Sequence, residues 1–204
     1  AVETFRLEEC FSDSLKGRAK KNDPVELIHK ALVTGIKDYF RKTGNKKAVL
    51  GLSGGIDSAL VLCLAVDALG SGNVRALLMP SRYSSEHSVS DAVALAKKLS
   101  VQYDIISIEK PFKAIEEDLM PVFEGRKTDV TEENIQARIR ALLLMAVANK
   151  FGCILLNTSN KSEAAAGYGT LYGDMAGGLS VIGDVYKTDL YRLANHINRS
   201  DEII

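Results

Sequence analysis

The sequence of 204 residues lacks the features of several large protein classes. Its three cysteines, Cys10, Cys63 and Cys153, are too few and too far apart for a disulfide framework or a zinc site. Its longest apolar runs fall far short of the ~20 residues that a membrane span needs. Charges occupy the first ten residues, where a signal peptide needs an apolar stretch. We therefore expect a cytoplasmic protein in which Cys63 and Cys153 are buried as small apolar residues.

An excess of positive charge is also absent. Lys plus Arg total 26 and Asp plus Glu total 26, so the formal net charge is zero. A general nucleic-acid binder would need a basic surface, and we therefore expect neither nucleic acid nor a membrane as a partner. The neutral balance still leaves room for a local basic site that binds one phosphorylated ligand.

Short apolar strands alternate with helical patterns along most of the chain. We predict strands at 47–52, 73–79, 103–109 and 153–157. We predict helices at 24–44, 56–70, 88–100, 111–120, 129–150 and 187–199. Alternation of this kind is typical of an α/β domain with a parallel sheet, which we place at 23–204. The polar residues 1–22 are interpreted as a tail or a linker.

The loop after the first predicted strand has the most specific pattern, GLSGGIDS at 51–58. It leaves a strand, passes two adjacent glycines and enters a helix, whose free N–H groups and partial positive charge suit a phosphate. Asp57 would repel a phosphate unless Mg²⁺ lies between them. A tight turn with a capping side chain is the simpler alternative. The residues expected to contact phosphate are Gly51, Leu52, Ser53, Gly54, Gly55, Ile56, Asp57 and Ser58.

This loop resembles the pyrophosphate loop of the ATP pyrophosphatases, and it lacks the lysine of the ordinary nucleotide triphosphatase loop. Those enzymes cleave ATP between its α and β phosphates and activate a carboxylate or carbonyl as an adenylate. The resemblance implies their fold, a doubly wound parallel sheet flanked by helices. The loop alone fits several branches of that superfamily.

Three further motifs resemble the NAD synthetase family: LNTSNKSE at 156–163, GYGTLYGD at 167–174 and ENIQARIR at 133–140. The likeness extends from about residue 26 to residue 198. The sequences at 79–85 and 169–172 resemble those of the glutamine-dependent branch, in which an amidase domain precedes the synthetase domain. We therefore expect a synthetase domain that was preceded by an amidase domain and that continues past residue 204.

The resemblance implies a two-step reaction. ATP adenylates the nicotinate carboxylate of deamido-NAD⁺ and releases pyrophosphate, and ammonia then displaces AMP. Asp57 and Glu163 would hold Mg²⁺, Thr158 would contact ATP, and Lys187 would reach the ATP phosphates. The alternatives are a helix-start carboxylate for Glu163, an N-cap for Thr158 and a solvated surface lysine for Lys187.

The remaining residues that the resemblance implies would bind the other two substrates, deamido-NAD⁺ and ammonia. Asn134 and Arg138 lie four residues apart, on one helix face, and would bind deamido-NAD⁺. Asp174 would hold or deprotonate ammonia, or else form a turn. Tyr39 would stack on the nicotinate ring, or else pack in the core. We expect Arg140, off that helix face, to be a surface charge.

Two other functions stay open on the sequence alone. The first is another ATP pyrophosphatase that transfers nitrogen or sulfur. The second is a non-catalytic module that senses ATP, although such a module does not explain a second carboxylate at the sheet edge. Members of the family usually pair as homodimers, which is the oligomeric state that the resemblance implies.

Overall fold

The computed structural model describes residues 23–199, 201, 203 and 204, and the predicted tail at 1–22 lies outside them. These residues form a five-stranded sheet, in which every strand pair is parallel, with helices on both faces. The strands lie in the order β3-β2-β1-β4-β5. They are β1 (Lys47–Gly51), β2 (Val74–Leu78), β3 (Gln102–Ile105), β4 (Cys153–Asn157) and β5 (Leu179–Ser180). The predicted doubly wound α/β class is confirmed.

Seven α-helices connect and cover the strands in the part of the chain that the structure describes. They are α1 (Pro24–Thr43), α2 (Ile56–Leu69), α3 (Glu86–Lys98), α4 (Glu109–Phe123), α5 (Val130–Phe151), α6 (Lys161–Ala166) and α7 (Lys187–Ile197). None of these helices is both long and apolar enough to cross a membrane.

The alternation of side chains along β1 divides the core into two layers. Ala48 and Leu50 point to the face covered by α1, α2, α3 and α7, and they belong to the large core cluster. Val49 points to the opposite face, where α5 supplies Ala148 to a second cluster. Because successive residues of a strand point to opposite faces, a strand that is buried on both sides has to be apolar throughout.

Helix α2 is the most buried element of the large cluster. Eight consecutive residues, 58–65, are buried, so the helix has no solvent-facing side over that stretch. Cys63 is one of them, as predicted, and burial raises the pKa of its thiol to about 12. Cys153 is only half-buried, and Cys10 lies outside the described residues.

The predicted start of α5 is confirmed in detail. The Asp129 side chain accepts the N–H of Thr131 at 2.8 Å and also that of Glu132, and the Glu132 carboxylate accepts the N–H of Asp129 at 2.8 Å. This reciprocal pair is a capping box, which provides partners for N–H groups that the helix itself cannot satisfy. Gly152, in the left-handed conformation, ends the helix as expected.

Two of the predicted element boundaries are wrong by more than two residues. Helix α4 begins at Glu109 and does not stop at Pro121; it continues to Phe123, because a proline in the last turn costs only one hydrogen bond. The left-handed conformation of Glu124 and Gly125 ends it instead. The third strand ends at Ile105, four residues before the predicted end.

A fifth strand, β5, was not predicted. It has two residues, Leu179 and Ser180, which pair with Leu156 and Asn157 of β4. A strand of two residues is too short to show the alternation of apolar and polar side chains from which a strand is recognised.

Leu62 and Leu142 provide a matched pair for testing the core. Leu62 is fully buried on α2, whereas Leu142 on α5 is 69% exposed. We expect Leu62→Ala to lower the free energy of unfolding by about 2–5 kcal/mol, because it leaves a cavity. Leu142→Ala should change it by no more than about 0.5 kcal/mol. Urea unfolding measures both values, and similar losses would contradict the described burial of α2.

Candidate functional site

The site lies where the chain reverses its direction across the sheet. From β1 the chain proceeds outward to β2 and β3, and it then returns to β4 and β5 on the other side of β1. The loops that follow β1 and β4 therefore diverge from a crevice at the carboxyl edge of the sheet. Open parallel sheets bind their ligands at such a switch point.

Residues 51–58, the phosphate loop, form a turn held by its own hydroxyl groups. The Ser58 hydroxyl donates to the carbonyl of Gly55 at 3.0 Å and accepts the N–H of Ser53 at 3.2 Å. The N–H groups in the first turn of α2 have no partner within the helix, and Gly55 before them has no side chain to cap them. These amides and the positive end of the helix dipole together form a cradle for an anion.

Gly54 allows the phosphate loop to pass close to the start of α3. Its φ of +84° is a conformation that residues with side chains rarely adopt. A Cβ atom at this position would lie 2.2 Å from the backbone oxygen of Ser88 in α3. Glycine is therefore required here by the backbone conformation and by the available space.

Asp57 and Lys187 form an ion pair across the crevice, although they are separated by 130 residues. The Lys187 ammonium donates to both carboxylate oxygens of Asp57, at 2.7 and 2.8 Å. The Asn160 amide also donates to Asp57, at 3.3 Å. Lys187 is the first residue of α7, as predicted, and it is not an isolated surface lysine.

Glu163 lies in the first turn of α6, in agreement with its predicted position at a helix start. Its carboxylate accepts the N–H of Asn160 at 3.0 Å, and the Asn160 side chain accepts the N–H of Glu163 at 3.0 Å. This is a second capping box, with Asn160 as the N-cap. The alternative interpretation of Thr158 as the N-cap is therefore wrong. The helix-start position of Glu163 is confirmed.

Both predicted metal ligands and five of the eight predicted phosphate residues border one cavity of about 220 Å³, here called the polar cavity; Gly51, Leu52 and Gly54 do not line it. Asp57, Glu163, Asp174 and Lys187, which come from four separate parts of the sequence, all line it. The other lining residues are Ser53, Gly55, Ile56, Ser58, Thr158, Ser159 and Tyr168.

A second cavity, of about 310 Å³, adjoins the first and is called the apolar cavity. Ser53, Thr158 and Asp174 line both cavities, so the two lie side by side. The apolar cavity lies against the carboxyl ends of β1, β2 and β4 and against α5. Among its lining residues are Gly51, Leu52, Leu77, Met79, Leu144 and Leu155. Its size and lining are those of a site for a flat, largely apolar ring.

Arg140 lies at the border of the apolar cavity, and its predicted role as a surface charge is wrong. Its guanidinium donates to the carbonyl of Met79 at 3.2 Å, and desolvation by burial lowers its pKa. The prediction failed because it considered only the helix face shared by Asn134 and Arg138. Helix α5 packs against the sheet on one side and faces the cavity on another.

Asn134 and Arg138 both contact the loop at 167–178, and neither is among the residues that line the two cavities. The Thr170 hydroxyl donates to the Asn134 amide oxygen at 2.7 Å. The Arg138 guanidinium donates to the carbonyl of Leu171 at 3.2 Å. In this structure the two side chains therefore position the loop.

Asp174 has the turn-forming contact that was its alternative interpretation. Its carboxylate accepts the N–H of Thr170 at 2.6 Å, while the side chain stays exposed at the border of both cavities. Asn157, at the end of β4, donates to its carbonyl at 2.7 Å. The contact is compatible with a second function, because a carboxylate has a further oxygen to offer.

Tyr39 packs at the edge of the large core cluster, with its ring against Phe40 at 5.9 Å between centroids. Its hydroxyl lies beside Gly178, just before β5. Tyr39 lines neither of the two cavities. In this structure it packs in the core, which was the alternative to stacking on the nicotinate ring.

The carboxylates assigned to Mg²⁺ suit a cation that arrives with its ligand. Among the described residues, no group of three or more His, Cys, Asp or Glu side chains could hold a metal ion. Asp57 and Glu163 nevertheless border the same cavity. Two carboxylates suffice for Mg²⁺ when phosphates and waters supply its other ligands. The donor set therefore fits Mg²⁺ bound together with a phosphorylated ligand.

Comparison with known sequences identifies relatives along the whole domain. The NAD synthase family model matches residues 28–204. A glutamine-dependent NAD(+) synthetase from Thermotoga maritima is 55% identical over 213 residues, which cover 100% of this chain and 37% of that protein. A protein of the same name from Synechocystis sp. is 53% identical and is covered to 36%. The chain thus spans little more than a third of the length of these relatives.

Solved structures give the same picture. The glutamine-dependent NAD+ synthetase from Acinetobacter baumannii, in complex with ADP, matches 94% of this chain with a TM-score of 0.88 and 44% identity; the match covers 37% of that chain. The NH3-dependent NAD synthetase from Campylobacter jejuni matches 89% of this chain with a TM-score of 0.80 and 37% identity. That match covers 77% of the Campylobacter chain.

Gly54 and Gly44 allow a test of the phosphate loop. Both have a positive φ, +84° and +72°, but nothing lies within 4 Å of a Cβ at Gly44. We expect Gly44→Ala to lower the free energy of unfolding by about 1–2 kcal/mol, from backbone strain alone. Gly54→Ala should lower it further, because the backbone of α3 has to move. Urea unfolding decides the matter, and equal losses would rule out the close approach to Ser88.

Proposed function

The chain belongs to the NAD synthase family, and from that premise we propose that it is the ATP-dependent synthetase part of a glutamine-dependent NAD⁺ synthetase. The proposed reaction is the formation of a C–N bond. The carboxylate of deamido-NAD⁺ is adenylated by ATP, and ammonia then displaces AMP to give the amide of NAD⁺.

One observation supports this proposal above the others. Most of the phosphate loop, including Asp57, lines the polar cavity together with two further carboxylates and a lysine, and the apolar cavity lies beside it. The base and ribose of ATP fit the apolar cavity, and its phosphates fit the polar one. A nucleotide placed in this way has its α-phosphate near the border of the two cavities, where a second substrate can approach it.

The residues of the polar cavity have distinct parts in the adenylation. An oxygen of the nicotinate carboxylate attacks the α-phosphorus, and the bond from that phosphorus to the pyrophosphate oxygen breaks. The first-turn amides of α2 and the Lys187 ammonium stabilise the negative charge that collects on pyrophosphate. Lys187 can do so only by exchanging some of its contact with Asp57 for contact with phosphate. Thr158, which borders both cavities, is placed to contact ATP at their junction.

Asp57 and Glu163 would hold Mg²⁺ against the pyrophosphate oxygens. The cation supplies neutralisation of phosphate charge when it is bound. Asp57 is available for this task because its carboxylate is only partly buried, with 19% of the side chain exposed. Glu163 uses one oxygen in the capping box and keeps the other one for a ligand.

The loop at 167–178 would form the deamido-NAD⁺ side of the site. Asn134 and Arg138 hold this loop in place, and Arg138 has further guanidinium donors for an anionic ligand. Tyr39 could reach the nicotinate ring only with a change in its packing. Asp174 borders both cavities, where it would accept a proton from ammonia as the nitrogen attacks the acyl carbon and AMP leaves.

The wider setting of the domain follows from the same premise. In the full-length enzyme an amidase domain would deliver ammonia from glutamine, with residues 1–22 as the linker before a synthetase domain at 23–204. The synthetase domain would continue past residue 204, pair as a homodimer and work in the cytoplasm.

The proposed activity is tested with the chain itself. With ATP, deamido-NAD⁺, ammonium and Mg²⁺, we expect NAD⁺ and AMP to form in equal amounts, and glutamine should not replace ammonium. Chromatographic separation of the nucleotides measures both products. AMP formed without any need for deamido-NAD⁺ would favour another ATP pyrophosphatase. ATP binding without turnover, both in this chain and in one extended past residue 204, would favour the sensing module.

Asp57→Asn tests the assignment of the first carboxylate. We expect at least a ~100-fold loss of the rate of adenylation, because the charge is removed from the polar cavity. Asp67→Asn, on the same helix α2 but paired with His29, is the matched control and should keep the wild-type rate. AMP release measures the rate, and circular dichroism checks that both variants fold. A normal rate for Asp57→Asn would remove Asp57 from the site.

A further inference from the structure

Asn160 is almost completely buried, with 1% of its surface exposed, and all of its polar atoms have partners. Its side-chain oxygen accepts the N–H of Glu163, and its own N–H donates to the Glu163 carboxylate. Its side-chain nitrogen donates to the Asp57 carboxylate, 103 residues away in the sequence. One residue therefore contacts two of the three carboxylates that line the polar cavity, the two assigned to Mg²⁺.

We propose that Asn160 is a positioning residue that holds Asp57 and Glu163 in the relative arrangement needed for a divalent cation. This inference rests on the proposed function, because it assigns to those two carboxylates the binding of Mg²⁺ together with ATP. Asn160 itself does not touch the cation. It acts through the two residues that do.

Capping of α6 alone does not explain an asparagine at this position. At the start of α5, Asp129 forms the same kind of capping box with a carboxylate. Asp, Ser and Asn are similarly effective N-caps, because the cap needs only an oxygen that accepts a hydrogen bond. The bond to Asp57 needs a donor as well. Aspartate has no donor, and serine has a single oxygen close to the backbone. The amide of asparagine offers a separate oxygen, which accepts from α6, and a separate nitrogen, which donates to Asp57.

The turn around Asn160 also holds Lys187. The N–H of Lys161 donates to the carbonyl of Val185 at 3.0 Å, and the hydroxyl of Ser162 accepts the N–H of Lys187 at 3.0 Å. The start of α7 is therefore tied to the start of α6 by two hydrogen bonds. When Lys187 turns from Asp57 to a phosphate, the amide of Asn160 remains as the contact that orients Asp57.

The variant Asn160→Ser distinguishes the orientation of Asp57 from the capping of α6. Serine keeps an acceptor for the N–H of Glu163, but its side chain is too short to reach Asp57 and adds no charge. Asp129→Ser makes the corresponding change in the capping box of α5, away from the polar cavity, and is the matched control. It reports the effect of a serine cap on metal binding at a helix start that is exposed and lies outside the polar cavity.

The test measures metal binding directly. Mn²⁺ replaces Mg²⁺ as a spectroscopic probe, and its binding is titrated by electron paramagnetic resonance with an ATP analogue that cannot be cleaved between its α and β phosphates. We expect the dissociation constant of Mn²⁺ to rise about 10–100-fold in Asn160→Ser, the range found when residues that orient metal ligands are removed. In Asp129→Ser it should stay at the wild-type value.

Two further measurements exclude a purely structural role. Asn160→Ser should keep the wild-type circular dichroism spectrum and a single urea transition, and its adenylation rate should recover at high Mg²⁺. The Mg²⁺ concentration that gives half of the maximal rate should rise, whereas kcat at saturating Mg²⁺ should not fall. Wild-type Mn²⁺ affinity in Asn160→Ser, or a rate that no Mg²⁺ concentration restores, would overturn the proposal. Failure of the wild-type chain to bind Mn²⁺ with the nucleotide would overturn the proposed function as well.

Discussion

The site depends on three helices, α2, α6 and α7, that begin at the same edge of a parallel sheet. Each contributes one charged side chain from its first turn: Asp57, Glu163 and Lys187. A lysine is electrostatically unfavourable at a helix N-terminus, where the dipole is positive. The ion pair with Asp57 offsets that repulsion. Three carboxylates, those of Asp57, Glu163 and Asp174, line the same cavity as this one ammonium, so a polyanion suits the crevice only together with a cation.

The sequence predicted those parts of the fold and site that depend on local patterns. The apolar strands, the phosphate loop before α2 and the helix-start position of Glu163 are each read from a few adjacent residues. The two-residue strand β5 exists only through its pairing with β4, so its own residues carry no pattern. Arg140 was misjudged because burial of an arginine depends on which surfaces meet around α5.

The contact between Asn160 and Asp57 could not be predicted from local sequence patterns. Asn160 belongs to the LNTSNKSE motif at 156–163, yet no feature of that motif indicates a contact with Asp57. The connection arises because α2 and α6 follow strands that are neighbours in the sheet, β1 and β4. For Tyr39, Asn134 and Arg138 the resemblance predicted contacts with substrate that the structure does not display. Tyr39 packs against the core, and Asn134 and Arg138 contact the loop at 167–178.

The burial of α2 has a consequence for how the site opens. Backbone amides exchange with solvent at rates set by the free energy of local opening, and a helix enclosed on all sides opens only when the whole domain does. Helix α6 is six residues long and contains no buried residue. Asp57 directly precedes the buried stretch 58–65, where we expect the slowest exchange, whereas Glu163 lies in a helix where we expect faster exchange. A ligand that binds both carboxylates would add protection to the amides of α6 and almost none to those of α2.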